Sequence, residues 1–296
     1  MPELPEVETV RLGLEPWVIG KRIDSVEVLH HRATRSDSLR PLSALVGARI
    51  TEIRRRGKFL WFVLDRDFAM VGHLGMSGQM MVPEIGRADE KHLRVRIGLH
   101  RSKRELRFID QRTFGWLAID RLIETKYGEL PESCAHIAPD PFDQRFKIKE
   151  VVSDIRSRKT EIKRALLNQE IVSGIGNIYA DEALWRARIH PERSTNRLSI
   201  QEVETLLRSA KSVMRAALKK GGTTFDDMFK NVNGQSGYFE ISLRAYGCEG
   251  EPCHRCGSLI RRITFANRSS HFCPKCQPRG RKIAVNRGNN SKKRRG

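Results

Sequence analysis

The chain has 296 residues, enough for roughly two domains with ordinary cores. Lys and Arg total 55 against 35 Asp and Glu, and a net charge of +20 points to a polyanionic partner, nucleic acid above all. No apolar run reaches the roughly 18 residues of a membrane helix, and the acidic, proline-broken start is no signal peptide. Of six cysteines, four lie in C-x-x-C pairs, which indicates a metal site in a reducing cytoplasm over a disulfide framework.

The first six residues, Met1-Pro2-Glu3-Leu4-Pro5-Glu6, open a helical stretch from about Val7 to Trp17. The stretch up to about Asp120 then reads as β. Leu93, Val95, Ile97 and Leu99 alternate with Arg94, Arg96 and Gly98, the period-two pattern of a half-buried strand. Similar runs are Ile23 to His30, Gly57 to Asp65, Ala69 to Val82 and Glu105 to Asp120. Many short strands with Gly-rich turns predict a sandwich or barrel-like first domain. Tyr127 to Asp143, broken by three prolines, reads as a linker.

Helices follow. Glu161 to Leu167 and Ala180 to Ala187 are joined through Ser173-Gly174-Ile175-Gly176-Asn177. Ser199 and Glu202 form a capping box ahead of Val203, Leu206, Leu207 and Ala210, and Gly221-Gly222 ends that helix. From Arg279 to Gly296 the chain is basic and nearly free of apolar residues, the composition of a disordered tail. The partition is 1-130, linker 131-149, a helical unit 150-244, a finger 245-277 and a tail 278-296.

Several constellations carry chemistry. Removal of Met1 would leave Pro2 as a terminal secondary amine. An α-amino group titrating near ~8 is partly unprotonated at neutral pH and attacks aldehyde-level carbon to give an iminium. Glu3 places a carboxyl beside it to donate or shuttle a proton. A plain helix start is the alternative. Cys253-x2-Cys256-x16-Cys273-x2-Cys276 matches a tetrahedral four-thiolate zinc site, which is structural because no position is left for water. An iron–sulfur site would use the same residue type. A hairpin between the knuckles would put Asn267-Arg268-Ser269-Ser270 at its tip. Gly174-Ile175-Gly176 would let backbone N–H groups approach a phosphate, or is a plain Gly-rich corner. Arg54-Arg55-Arg56-Gly57-Lys58 is a charge run at a strand entry. In Asp110-Gln111-Arg112-Thr113-Phe114-Gly115 an Arg can read a base and a Phe can wedge between bases.

Together these segments resemble the bacterial formamidopyrimidine-DNA glycosylase family: Pro2-Glu3-Leu4-Pro5-Glu6-Val7-Glu8-Thr9, the Arg-Gly-Lys58 strand, His73-Leu74-Gly75-Met76-Ser77-Gly78, Asp110-x-Arg112-x-Phe114-Gly115, Gly174 to Glu182, and the zinc hairpin, in order from Pro2 to about Gln277. The resemblance implies an α+β fold, with an N-terminal β-sandwich, a helix–two-turn–helix module and a zinc finger. It implies a monomeric bacterial enzyme of the cytoplasm and nucleoid. Its partner would be double-stranded DNA containing oxidised bases or abasic sites, held in the cleft between domains. The implied activity is excision of oxidised purines (8-oxoguanine, formamidopyrimidines), then strand cleavage by β,δ-elimination.

Roles carry over where residues match. Pro2 would be the Schiff-base nucleophile at C1′, Glu3 the acid for ring opening and base loss, and Lys58 the proton donor associated with β-elimination. Arg268 would serve δ-elimination and clamp a phosphate. His73, His92, Arg158, Lys163 and Asn177 would contact DNA near the lesion. Met76, Arg112 and Phe114 would fill the gap left by the everted nucleotide, and Thr223 to Phe239 resembles a loop closing over the flipped base. One zinc ion would be held by Cys253, Cys256, Cys273 and Cys276. Thr113 stands where many relatives carry a second Arg, and Cys248 stands where a basic residue is common; Cys134 and the tail carry no inherited role. A sister branch acting on oxidised pyrimidines and a catalytically silent zinc-finger DNA-binding protein are the rival readings.

Overall fold

A computed structural model describes residues 2–221 and 243–279; the expected loop Thr223 to Phe239 and the tail beyond Arg279 lie outside the described residues. Helix α1 (Leu4–Val18) leads into nine strands: β1 (Ile23–Val28), β2 (Ile50–Arg56), β3 (Phe59–Leu64), β4 (Phe68–His73), β5 (Gly78–Met81), β6 (Leu93–Leu99), β7 (Glu105–Asp110), β8 (Trp116–Thr125) and β9 (Gly128–Pro131). They form two antiparallel sheets, ordered β1-β6-β7-β5 and β2-β3-β4-β8-β9. The alternation in β6 holds, with Leu93, Val95, Ile97 and Leu99 buried. Val95, Ile97 and Leu99 meet Leu60, Phe62, Met70, Phe108, Leu117 and Ile119, and α1 adds Val7, Val10, Leu14 and Val18 to the same core, while Leu93 packs with Met81 and Ile109 in a smaller cluster. β4 is apolar on both faces because its second face packs Ala69 and Val71 against Trp61, Leu130 and Cys134.

Two expectations need correction here. Ala69 to Val82 and Glu105 to Asp120 are each two strands, divided at the Gly-punctuated turn His73 to Gly78 and at the strand-or-turn segment Asp110 to Gly115. Gly75 at φ +58° and Thr113 at φ +52° take left-handed conformations that no strand accommodates. The proline-broken stretch from Tyr127 is also more ordered than a linker. It supplies β9, paired with β8 (Leu122 opposite Pro131), and Cys134 is fully buried beneath the sheet.

The second half is a helical unit with its own core: α2 (Ile148–Ser157), α3 (Ile162–Leu167), α4 (Asn177–Ala187) and α5 (Ile200–Lys219). α2 had no sequence expectation; only Val152 and Ile155 of its residues are fully buried. The capping box of α5 is present, Ser199 Oγ accepting the Glu202 N–H at 3.1 Å and Glu202 Oε2 accepting the Ser199 N–H at 2.8 Å. Strands β10 (Arg261–Phe265) and β11 (Arg268–Phe272) make the finger hairpin. Its tip is Ala266-Asn267, both left-handed, so Arg268 is the first residue of β11, opposite Phe265. Leu4 belongs to the helical core while Val7 belongs to the sandwich core, so α1 crosses the seam within one turn.

Candidate active site and nucleic-acid interface

Pro2 is buried and Glu3 is 2% exposed, at the point where α1 enters that seam. The Glu3 carboxylate accepts backbone N–H groups from Gly176 at 2.6 Å, Ile178 at 2.8 Å and Tyr179 at 3.3 Å. It thereby closes the N-terminus of α4, where otherwise unpaired amides and the helix dipole favour an anion. The two glycines serve this contact. Gly174 sits at φ +86° with room for no Cβ, which would lie 2.5 Å from Leu4 Cδ1; a Cβ on Gly176 would lie 2.3 Å from Glu3 Cδ. The phosphate-cradle reading of this turn is therefore corrected: its amides are occupied by Glu3 and, at Gly174, by Gln169 Oε1.

Glu6 stands behind. Its Oε2 accepts the Glu3 N–H at 2.8 Å and its Oε1 accepts the Tyr179 hydroxyl at 2.7 Å. Burial raises the Glu3 carboxyl above its ordinary range, and the positive charge of Lys58 pulls it back in part. Lys58, 7% exposed, sits on the turn between β2 and β3. The preceding Gly57 fits so closely against Ser173 that a Cβ would lie 2.8 Å from the serine Cβ. Burial lowers the Lys58 ammonium; the Glu3 charge opposes that and the Arg268 charge adds to it. Pro2, Glu3 and Lys58 are thus brought together from α1 and a sandwich turn against a turn of the helical unit.

The turns after β4 and β7 form a second group. Asp110, fully buried, accepts the Ser77 hydroxyl, the Arg112 N–H at 3.1 Å and the Gly115 N–H at 2.6 Å. A Cβ on Gly75 would lie 2.4 Å from the Phe114 carbonyl carbon, so the two turns are in direct backbone contact. They hold out Met76 (41% exposed) and Phe114 (53% exposed), with the Arg112 guanidinium 5.1 Å from the Phe114 ring centroid. The His73 ring lies 4.8 Å from Phe59 and 5.9 Å from Trp116, and burial pushes its pKa down to about 4. His92 is half-buried and its carbonyl accepts the Asp110 N–H at 3.0 Å.

The remaining positions divide. Arg158 is exposed and paired with Asp154, and Arg268 is exposed at the start of β11. Asn177 carries a buried Oδ1 without a hydrogen-bond partner among the described residues. Lys163 differs from its expected place at a DNA surface. It is fully buried, with Nζ 2.6 Å from Asp181 Oδ1 and 2.9 Å from the Ser269 carbonyl, so its ammonium is an internal strut. Its partner stands 18 residues downstream, which no local pattern announces.

The four finger cysteines place their sulfurs within 4.8 Å of one another. Four thiolates bound tetrahedrally at about 2.3 Å require sulfur separations of about 3.8 Å, so the set fits one zinc ion. Trp185 Nε1 donates to Cys253 Sγ at 3.4 Å and the Cys276 N–H to Cys273 Sγ at 3.4 Å, contacts that suit thiolates.

Family models match most of the chain: the formamidopyrimidine-DNA glycosylase N-terminal domain over residues 1–117, the corresponding H2TH domain over 137–228, and the zinc finger found in FPG and IleRS over 250–279. The chain belongs to the formamidopyrimidine-DNA glycosylase family. A relative of that name from a Nocardioides species is 54% identical over 95% of this chain and 96% of its own length. Another, from Mycobacterium avium, is 54% identical over 95% of this chain and all of its own. Among solved structures, a variant Lactococcus lactis enzyme bound to Fapy-dG-containing DNA superposes with a TM-score of 0.82 at 34% identity, covering 94% of this chain and 100% of that one. The Lactococcus lactis enzyme with DNA containing an abasic site gives 0.80 at 34% identity, covering 93% and 99%.

Family motifs mark positions but not all the residues that organise them. Asp110 stood inside a noted motif without a role, yet it fixes both exposed turns. Asp181 and Glu182, adjacent on α4, likewise lie in the Gly174 to Glu182 motif without a role. Asp181 receives Ser270 Oγ at 2.9 Å and the His271 N–H at 2.8 Å, and Glu182 Oε1 accepts the N–H groups of Arg244, Ala245 and Tyr246 at 2.8–2.9 Å. Their signal was two adjacent acids in a mostly apolar helix, which buries both.

Proposed function

We propose that this family member is a bifunctional DNA glycosylase and abasic-site lyase acting on oxidised purines, with Pro2 as its covalent nucleophile. The observation that carries the reading is Glu3, a buried carboxyl held by three α4 amides beside Pro2 and within the field of Lys58. Once Met1 is removed, the Pro2 nitrogen attacks C1′ of an everted nucleotide and the base departs. Glu3, whose pKa is raised by burial, holds the proton needed for ring opening and base loss. The iminium acidifies C2′–H, and successive losses of the 3′ and 5′ phosphates follow, with Lys58 and Arg268 serving the two eliminations.

Met76, Arg112 and Phe114 occupy the vacated stack, offsetting a few kcal/mol of unstacking. His73, His92, Arg158 and Asn177 line the approach; Lys163 leaves that set. The +20 charge supplies affinity for duplex DNA. Cys253, Cys256, Cys273 and Cys276 would hold one structural zinc, which rigidifies the Arg268 hairpin and takes no part in bond breaking. No helix among the described residues is long and apolar enough to cross a membrane; we place the enzyme in the cytoplasm, on nucleoid DNA, as a monomer. The partition 1-130, 131-149, 150-244, 245-277 and 278-296 is our reading, supported by separate cores for sandwich, helices and finger; the connection 131-149 is itself ordered, its start packing on the sandwich and its end on the helices.

Activity on oxidised pyrimidines is a second reading with its own support, since a wild-type Lactococcus lactis relative, TM-score 0.80, has been solved with oxidised-pyrimidine-containing DNA. Borohydride trapping on duplexes bearing 8-oxoguanine, a formamidopyrimidine or an oxidised pyrimidine tests both. The purine duplexes should trap fastest, and an uncleaved N-terminal extension should abolish trapping. An extended protein that traps as well as the native one would exclude Pro2.

A further inference from the structure

We propose that Asp181 is a positioning residue for Arg268, setting where the finger's cation stands over the site; this rests on the role of Arg268 in the second elimination given above. Asp181 is fully buried on α4, one turn beyond the amides that hold Glu3. Its carboxylate accepts Ser270 Oγ at 2.9 Å and the His271 N–H at 2.8 Å, and lies 3.2 Å from His271 Nδ1. The buried charge is matched by Lys163, whose Nζ is 2.6 Å from Asp181 Oδ1 and which also donates to the Ser269 carbonyl at 2.9 Å.

One ion pair therefore fixes three consecutive residues, 269 to 271, directly after Arg268. It also reaches the other neighbour of Arg268. Phe265 is its cross-strand partner, and the Phe265 ring centroid lies 5.5 Å from Lys163 Nζ. Arg268 itself is exposed and follows a two-residue turn, and no side-chain hydrogen bond or ion pair ties it down among the described residues. Cys273, directly after β11, belongs to the four-cysteine set that would hold the zinc and so would fix the far end of the strand. Asp181 and Lys163 fix the near end. Because Gly176, Ile178 and Asp181 belong to one short stretch around the start of α4, the acid Glu3 and the cation Arg268 are held at a set separation by a single rigid element.

A merely structural carboxylate would affect stability and all steps alike. A positioning residue acting through Arg268 changes the partition between products. On a preformed abasic-site duplex, full-length zinc-loaded Asp181→Asn should lower the ratio of δ- to β-elimination product about tenfold, because a charged acceptor becomes a neutral one. Borohydride trapping should stay within about threefold of wild type, since Pro2 and Glu3 are untouched. In the Arg268→Ala background the same substitution should change the ratio no further, the non-additivity of residues acting through one group. Ser270→Ala, which removes a single contact to Asp181, should shift the ratio in the same direction by a smaller factor, and serves if the aspartate variant does not fold. A zinc-replete Asp181→Asn protein with the wild-type product ratio would overturn the inference, as would a further drop on Arg268→Ala. Wild-type protein that forms no trapped adduct would instead sink the nucleophile reading.

Discussion

Glu3 and Gly176 are packed so closely that a methyl group on the glycine would stand 2.4 Å from Glu3 Oε1. Gly176→Ala should therefore displace the carboxylate by an ångström or more while leaving both domain cores intact. Such a displacement costs on the order of a hundredfold in rate. Excision kinetics on an 8-oxoguanine duplex, with circular dichroism to confirm folding, check this; near-native turnover would mean that Glu3 tolerates movement.

Glu3→Gln should suppress base excision by about 10²–10⁴-fold, the usual worth of a positioned acid. DNA affinity should hardly change, because the carboxyl faces amides and no phosphate. A preformed abasic site should lose less, since its base is already gone. Equal losses on both substrates would contradict the assignment.

His73 provides a pH test of stability. Its folded pKa of about 4 lies below the ordinary 6.5, so the unfolded chain binds the proton first as pH falls. Its contribution is complete above about 6.5 and is lost as pH drops towards 4, amounting to about 3 kcal/mol at most. His73→Phe, which keeps a ring between Phe59 and Trp116, should be less sensitive to acid in urea melts at pH 5 and pH 7. Parallel losses in the two proteins would place the sensitivity elsewhere.

Cys256→Ser or Cys273→Ser should release the metal, measured by a colorimetric chelator, and abolish tight DNA binding. The sandwich should melt as before, because none of its core residues touches the finger cluster.

Salt titrations separate phosphate contacts from stacking. For duplex DNA the log–log slope is about −0.9 per neutralised phosphate, so Arg268→Ala should flatten it by about one unit. Phe114→Ala should weaken capture of a lesion duplex with the slope nearly unchanged. A flattened slope for Phe114→Ala would remove it from the wedge.

Much of this molecule can be read from its residues in order. Cysteine spacing locates the finger, because metal geometry demands ligands at short fixed intervals. The alternation from Leu93 to Leu99 reveals β6, because one of its faces is wet. β4 lacks such a pattern, since Cys134 and Leu130 cover its second face and leave it apolar throughout. The breaks at Gly75 and Thr113 are legible too, the first from the glycines of His73 to Gly78 and the second from the polar run Asp110 to Thr113. Lys163 shows the limit best. The resemblance implies a DNA contact for it, and only the fold reveals Asp181 against it. Gly174 and Gly176 likewise suggest a ligand's close approach, and the group that approaches is the protein's own Glu3.

That last contact joins residues 173 positions apart. During synthesis Pro2 and Glu3 emerge first, yet the amides that hold Glu3 are made only after more than half the chain. Contacts so distant in sequence form late and are slow to find. A stalled or truncated product ending before residue 176 would carry the reactive amine without the means to aim its acid. On the roles proposed for Pro2 and Glu3, base excision therefore waits for the second half of the chain: a product that has not built the start of α4 cannot hold Glu3 in place.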